Sequence, residues 1–121
     1  MKLTRQMAMI CGFILVAAGF TGSQTQSKAY KFAEFGPMSQ TQVKKKVDGF
    51  LLELAKDPAS QGYIINYGTP RAITLRRRQI TRSIDFLKYD PVRITFVDGP
   101  TEKKIRTQFW IVPAGATPPA P

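Results

Sequence analysis

Between residues 43 and 54 the apolar side chains Val43, Val47, Phe50, Leu51 and Leu54 recur at steps of three and four with one adjacent pair. That spacing lines one face of an α-helix. Ser39 or Thr41 stands where an N-cap belongs. Asp57-Pro58 closes the helix, because a residue before proline is pushed out of the helical region. A second face is drawn by Ile73, Ile80, Ile84 and Leu87. It predicts a helix over 72–88, stopped by Asp90-Pro91 as the first is by Asp57-Pro58. Between the two helices residues 62–67 read GYIINY, β-branched and aromatic, as a largely buried strand does. Gly68-Thr69-Pro70 then turns the chain.

Three further strands follow from alternation and punctuation. Residues 28–35 place Tyr30 and Phe32 on one parity and Lys31 on the other, and Gly36-Pro37 ends them. Residues 93–97 and 104–112 are strand-like and are separated by Asp98-Gly99-Pro100. The order is β-α-β-α-β-β. Helices alternating with strands must lay their apolar faces on a sheet. The expected fold is therefore α/β in the α+β sense, a two-layer sandwich with both helices on a small mixed sheet.

The two ends read differently. Lys2 and Arg5 precede an uncharged run over 7–20, and small polar residues fill 21–27. That is the layout of a cleavable secretory signal, with residues 1–27 as its extent. An uncleaved form would anchor the chain, although the run is short of the about 20 residues that span a bilayer. Cys11 sits inside this segment, behind Met9 and Ile10 rather than the small residues a lipid-attachment site requires. Residues 28–115 form the expected domain. Residues 116–121 are a proline-rich tail expected to be flexible. Export places the protein in the periplasm or cell envelope.

Composition narrows the chemistry. The 121 residues include no His and one Cys. Ser-His-Asp and Cys-His nucleophiles, imidazole metal sites and an internal disulfide are thereby excluded. Glu34, Glu53 and Glu102 belong to separate elements and form no acid–base pair along the sequence. No catalytic residue, metal or cofactor is expected.

Charge points to anions instead. Lys plus Arg number 18 against 8 Asp plus Glu, a net charge of +10. Arg76-Arg77-Arg78 with Arg82 is the densest cluster, and Lys44-Lys45-Lys46 opens the first helix. Arg78 and Arg82 lie one turn apart, away from the apolar line, and Arg77 lies beside that line. Arginine forks grip carboxylate or phosphate in a bidentate way. The alternative is a solvated helix face in which Asp85 balances Arg78 or Arg82. Nucleic acid would use Tyr63, Tyr67, Phe96 or Trp110 for stacking. Those aromatics alternate along strands as core residues do, and the export signal argues against that partner. Trp110 has the opposite parity from Ile105, Thr107, Phe109 and Ile111. Either it forms an open polar–aromatic face with Arg106 and Gln108, suited to a protein partner or a glycan, or it packs under the proline tail.

The sequence of a helix ending at Asp-Pro, a strand ending in Tyr-Gly, an Arg-rich helix ending in Asp85-Phe86-Leu87, a short link, and Arg93-Ile94 followed by a glycine turn resembles the OmpA-like peptidoglycan-associated domain. Residues 89–116, with DPVRITFVDG and FWIVPAGATP, are similar to a reduced form of it seen in small uncharacterised secreted bacterial proteins. The resemblance covers about residues 30–116. It implies a sheet backed by helices that binds the diaminopimelate-containing peptide of peptidoglycan. It places ligand contacts at Thr69, Arg77, Arg78 and Arg82. The family's aspartate has no counterpart, since Gly68-Thr69-Pro70 holds no acid, and its arginine aligns on Gln79, next to Arg78. The expected function is a non-catalytic envelope module associating with peptidoglycan or another anionic envelope polymer. The competing classes are a structural or protein-interaction module that has lost the ligand, and a secreted polyanion binder.

Overall fold

The computed structural model describes residues 27–121. The expected signal segment, residues 1–27, lies outside the described residues except for Ser27, and Cys11 lies outside with it. The elements are β1 (Tyr30–Phe35), α1 (Gln40–Ala55), β2 (Gln61–Tyr67), α2 (Pro70–Phe86), a single 3-10 turn (Pro91–Arg93), β3 (Ile94–Asp98) and β4 (Arg106–Val112). This is an α+β fold in the order β-α-β-α-β-β, as the hydrophobic pattern predicts.

The strands form one mixed sheet in the order β1-β4-β2-β3. β2, α2 and β3 make a βαβ unit, so β3 lies parallel to β2. The last strand returns antiparallel to both neighbours and wedges between β1 and β2. Its link, residues 99–105, crosses the end of β2: Gly99 N donates to Asn66 O at 2.8 Å, and Glu102 N to Gly68 O at 3.2 Å. No local pattern announces this insertion, because it is a choice among pairing partners.

Both helices cover the same face. Val43, Val47, Phe50, Leu51 and Leu54 of α1 and Ile80 and Ile84 of α2 are buried with Phe35, Ile64, Phe109 and Ile111 of the sheet. Phe50 stacks on Phe109 with centroids 4.6 Å apart, and Phe35 meets Phe109 edge-on at 5.2 Å. Glycine is required at 62, where a Cβ would stand 2.8 Å from the Phe50 ring and 2.9 Å from Leu54. In β1 the ladder slips between Lys31 and Ala33. The bulge keeps Phe32 toward the helices, 6.1 Å from Phe50.

Several boundaries differ from the predicted ones. Of the two candidate caps Ser39 serves α1, as one expectation had it: its hydroxyl accepts from Gln42 N while the Gln42 side chain accepts from Ser39 N, a capping box. α2 begins at Pro70 rather than residue 72, since proline at the first turn lacks only an N–H the helix would leave unpaired. It ends two residues early, at Phe86. Lys88 takes a left-handed φ of 58°, Lys88 N returns to Asp85 O and Tyr89 N to Ile84 O. These bonds close the helix before Asp90-Pro91 can. β1 starts at Tyr30 and β4 at Arg106, not at 28 and 104, because their ladders offer partners only from there.

Arg93, expected to open a strand, instead sits in the 3-10 turn. Its guanidinium donates to the carbonyls of Leu54 (3.0 Å), Asp57 (2.9 Å) and Ser60 (2.6 Å) and to the Tyr89 hydroxyl (2.9 Å). It therefore holds the negative end of the α1 dipole. Arg93→Ala is expected to cost about 2–3 kcal/mol, because charge-assisted bonds to partly buried carbonyls are lost together. A urea melt checks this, and an unchanged midpoint would contradict it.

The sheet's second face carries Lys31, Glu34, Arg106, Gln108, Trp110, Tyr63 and Tyr67. Arg106 lies over the Tyr67 ring at 3.8 Å and pairs with Glu102 at 2.6 Å and Glu34 at 3.0 Å. Hydrogen bonds from Lys31 and then Arg106 hold the Glu34 carboxyl below the usual range, and Arg106 does the same for Glu102. A carboxyl held down in the fold stabilises it above the ordinary carboxylate range and ceases to as pH falls through the lowered value. Stability is therefore expected to decline on acidification, and the decline to be shallower in Arg106→Gln. Urea midpoints at about pH 7 and about pH 3 measure the difference.

Candidate anion-binding groove

Thr69, Arg77, Arg78 and Arg82 stand in three different places. Thr69 is the N-cap of α2, its hydroxyl accepting from Ala72 N at 3.2 Å. Arg77 leans over the edge strand, 5.0 Å from the Phe96 ring and 3.3 Å from the Asp98 carboxylate. Only Arg78 and Arg82 come together, on the wall of a groove of about 430 Å³ between α2, the β1–α1 loop and Ile105. Asp85, the expected counter-charge, forms no ion pair with either among the described residues.

The residue that completes the groove is Arg76. It is 3% exposed, and its neighbours in sequence are far more open. Nη1 donates to Thr107 Oγ1 at 2.7 Å, Nη2 to Gly36 O at 2.8 Å and Nε to Gln79 Oε1 at 3.1 Å. The guanidinium lies 5.0 Å from the Phe35 ring. All these partners are neutral. Among the described residues no carboxylate pairs with Arg76. Burial lowers its pKa from the ordinary arginine value, which marks a charge held out of water.

Behind Arg76 the polar chain runs into the core. Thr107 Oγ1 donates to Asn66 Oδ1 at 2.6 Å, and both residues are fully buried. The Asn66 amide nitrogen has no hydrogen-bond partner among the described residues. An orphaned buried donor costs about 1–3 kcal/mol, so this network is under-satisfied on its donor side.

The other wall comes from the start of α1. Gln40 lines the groove and donates to Gln79 O at 3.0 Å and Ser83 Oγ at 3.3 Å, tying α1 to α2. No acidic residue stands in the first turn of either helix. The positive end of the α1 dipole thus faces the same space as the guanidinium groups. Several carboxylates elsewhere are engaged: Glu34 and Glu102 with Arg106, Asp98 with Arg77, Glu53 with Tyr30 and Lys56. Among the described residues no group of His, Cys, Asp and Glu side chains is placed to hold a metal ion. No described helix is long and apolar enough to cross a membrane.

Sequence reasoning missed Arg76, although a signal for it existed. Arg76 falls three residues after Ile73 and four before Ile80, on the apolar line itself. A cation at such a position is expected to be buried and to need partners. No protein-family model matches the chain, and neither the curated proteins nor the solved structures contain a significant match.

Proposed function

We propose that this protein is a non-catalytic cell-envelope module that binds a carboxylate-bearing envelope polymer in the Arg76–Arg78–Arg82 groove, peptidoglycan stem peptides being the first choice. The observation that carries this reading is a guanidinium buried at the groove with no carboxylate paired to it among the described residues. A buried cation is stable only when paired, and a bound anion supplies what the chain omits. Arg78 and Arg82 add charge at the mouth, where they steer and hold the same group. Peptidoglycan is favoured over other polyanions by the export signal and by the resemblance to OmpA-like domains. The polar side chains lining the groove are cations and neutral amides, so it suits an anionic group such as a carboxylate and offers nothing to the ammonium group of diaminopimelate.

Co-sedimentation with purified sacculi, at low and at moderate salt, tests the proposal. Retention at moderate salt is expected to fall at least about tenfold in Arg78→Gln/Arg82→Gln, the loss of two charge-assisted contacts. Amidating the stem carboxylates is expected to have the same effect on the unmodified protein. Retention that vanishes with salt alone would reduce the groove to generic charge attraction. No retention at either salt would overturn wall binding.

A further inference from the structure

A second cavity among the described residues, larger than the groove, lies on the other side of the sheet, where Trp110 stands. It measures about 730 Å³, within the range of small-molecule sites. Trp110 borders it, together with Ser27, Lys28 and Ala29 from the chain before β1 and Thr117 and Pro119 from the tail. The tail gets there by a turn after β4: Ala116 N donates to Pro113 O at 3.0 Å, and Gly115 takes φ 82°, which suits glycine. Residues of the proline-rich tail thus line the cavity.

The chemistry of the lining narrows the ligand. Trp110 Nε1 donates to Gln108 Oε1 at 2.9 Å, so its N–H is engaged, and the half-buried indole meets the cavity with its ring. The face of an indole is the negative pole of the ring and attracts cations or polarised C–H groups. Lys28 at the border disfavours a cation. Ala29, Ala116 and Ala120 are small enough to let a flat ring approach, and Ser27 and Thr117 supply hydroxyls for polar substituents. Tyr63, the cross-strand neighbour of Trp110, shares its face of the sheet. We infer that this cleft, between the tail and the open face of the sheet, binds a pyranose ring of an oligosaccharide, stacked on Trp110. The site is separate from the groove and does not depend on it.

Trp110 is the sole tryptophan of the chain, so its emission reports the cleft directly. The full chain is titrated with N,N′-diacetylchitobiose and with the corresponding trisaccharide. A saturable blue shift that persists at moderate salt is expected. Lys28→Ala and Thr117→Val, both changes at the cavity border, are each expected to weaken it roughly fivefold, the loss of one hydrogen bond. Circular dichroism confirms that both variants remain folded. Arg76→Met is expected to leave the titration unchanged, which keeps this inference distinct from the fate of the groove. An emission that does not move, border variants that respond as the unmodified protein does, or a response to a fatty acid but not to sugar would each overturn it.

Discussion

Arg76→Met is expected to keep the protein within about 1 kcal/mol of its present stability while weakening retention on sacculi ten- to a hundredfold. The two effects separate because the same side chain contributes oppositely to them. In the folded protein the guanidinium is desolvated without a counter-charge, and methionine of similar length removes that burden. Thr107 keeps its bond to Asn66, and the Gln79 side chain lies at the groove, so Gly36 O is the main acceptor left wanting. Against this, the fixed charge that an anion would meet is gone. Arg76→Ala behaves differently: it empties a buried volume and is expected to cost about 2–4 kcal/mol, which makes it the poorer probe. Urea melts beside sedimentation decide the matter. Wild-type retention by the methionine variant would remove Arg76 from the site.

The second large effect lies in the core. Phe50→Ala is expected to cost about 3–5 kcal/mol, because Phe50 is fully buried and joins Phe32, Phe109 and Gly62 across the two layers. For a domain of this size that lowers Tm by about 15–30 °C. Gly62→Ala alone is expected to cost about 1–3 kcal/mol, since its new methyl would press on Phe50 and Leu54. Together the two changes should cost less than their sum, because the methyl then enters the space the ring has left. Additive melting temperatures would mean that the two residues do not share one packing site.

The helices and strands were readable because their signals are local. The face of Val43, Val47, Phe50, Leu51 and Leu54 is buried residue for residue as its spacing requires. The strand at Gln61–Tyr67 emerges from its β-branched run, and the shared sheet follows from two amphipathic helices that need one surface. Errors were confined to ends, where a Schellman closure at Lys88 or the reach of a neighbouring ladder outranks proline as a stop signal.

The site was less legible. Arg76, Arg77 and Arg78 are chemically identical neighbours, and a helix turns about 100° at each step. They consequently point into the core, over the β3 edge and toward the groove wall. Composition marks the cluster as cationic but assigns no roles within it. Thr69, expected as a ligand contact, serves as the N-cap of α2, a role equally consistent with a Gly-Thr-Pro turn.

The elements, their order, the buried face of each helix, and an excess of cations with no histidine chemistry can all be read along the chain. Those properties depend on neighbours within a few residues and on composition. Packing alone sets the wedge of β4 between β1 and β2, the burial of Arg76 against Thr107 with no carboxylate beside it among the described residues, and the return of the tail to Trp110. Each joins residues at least several, and mostly tens of, positions apart, so it is fixed by which surfaces pack together and not by any spacing along the chain.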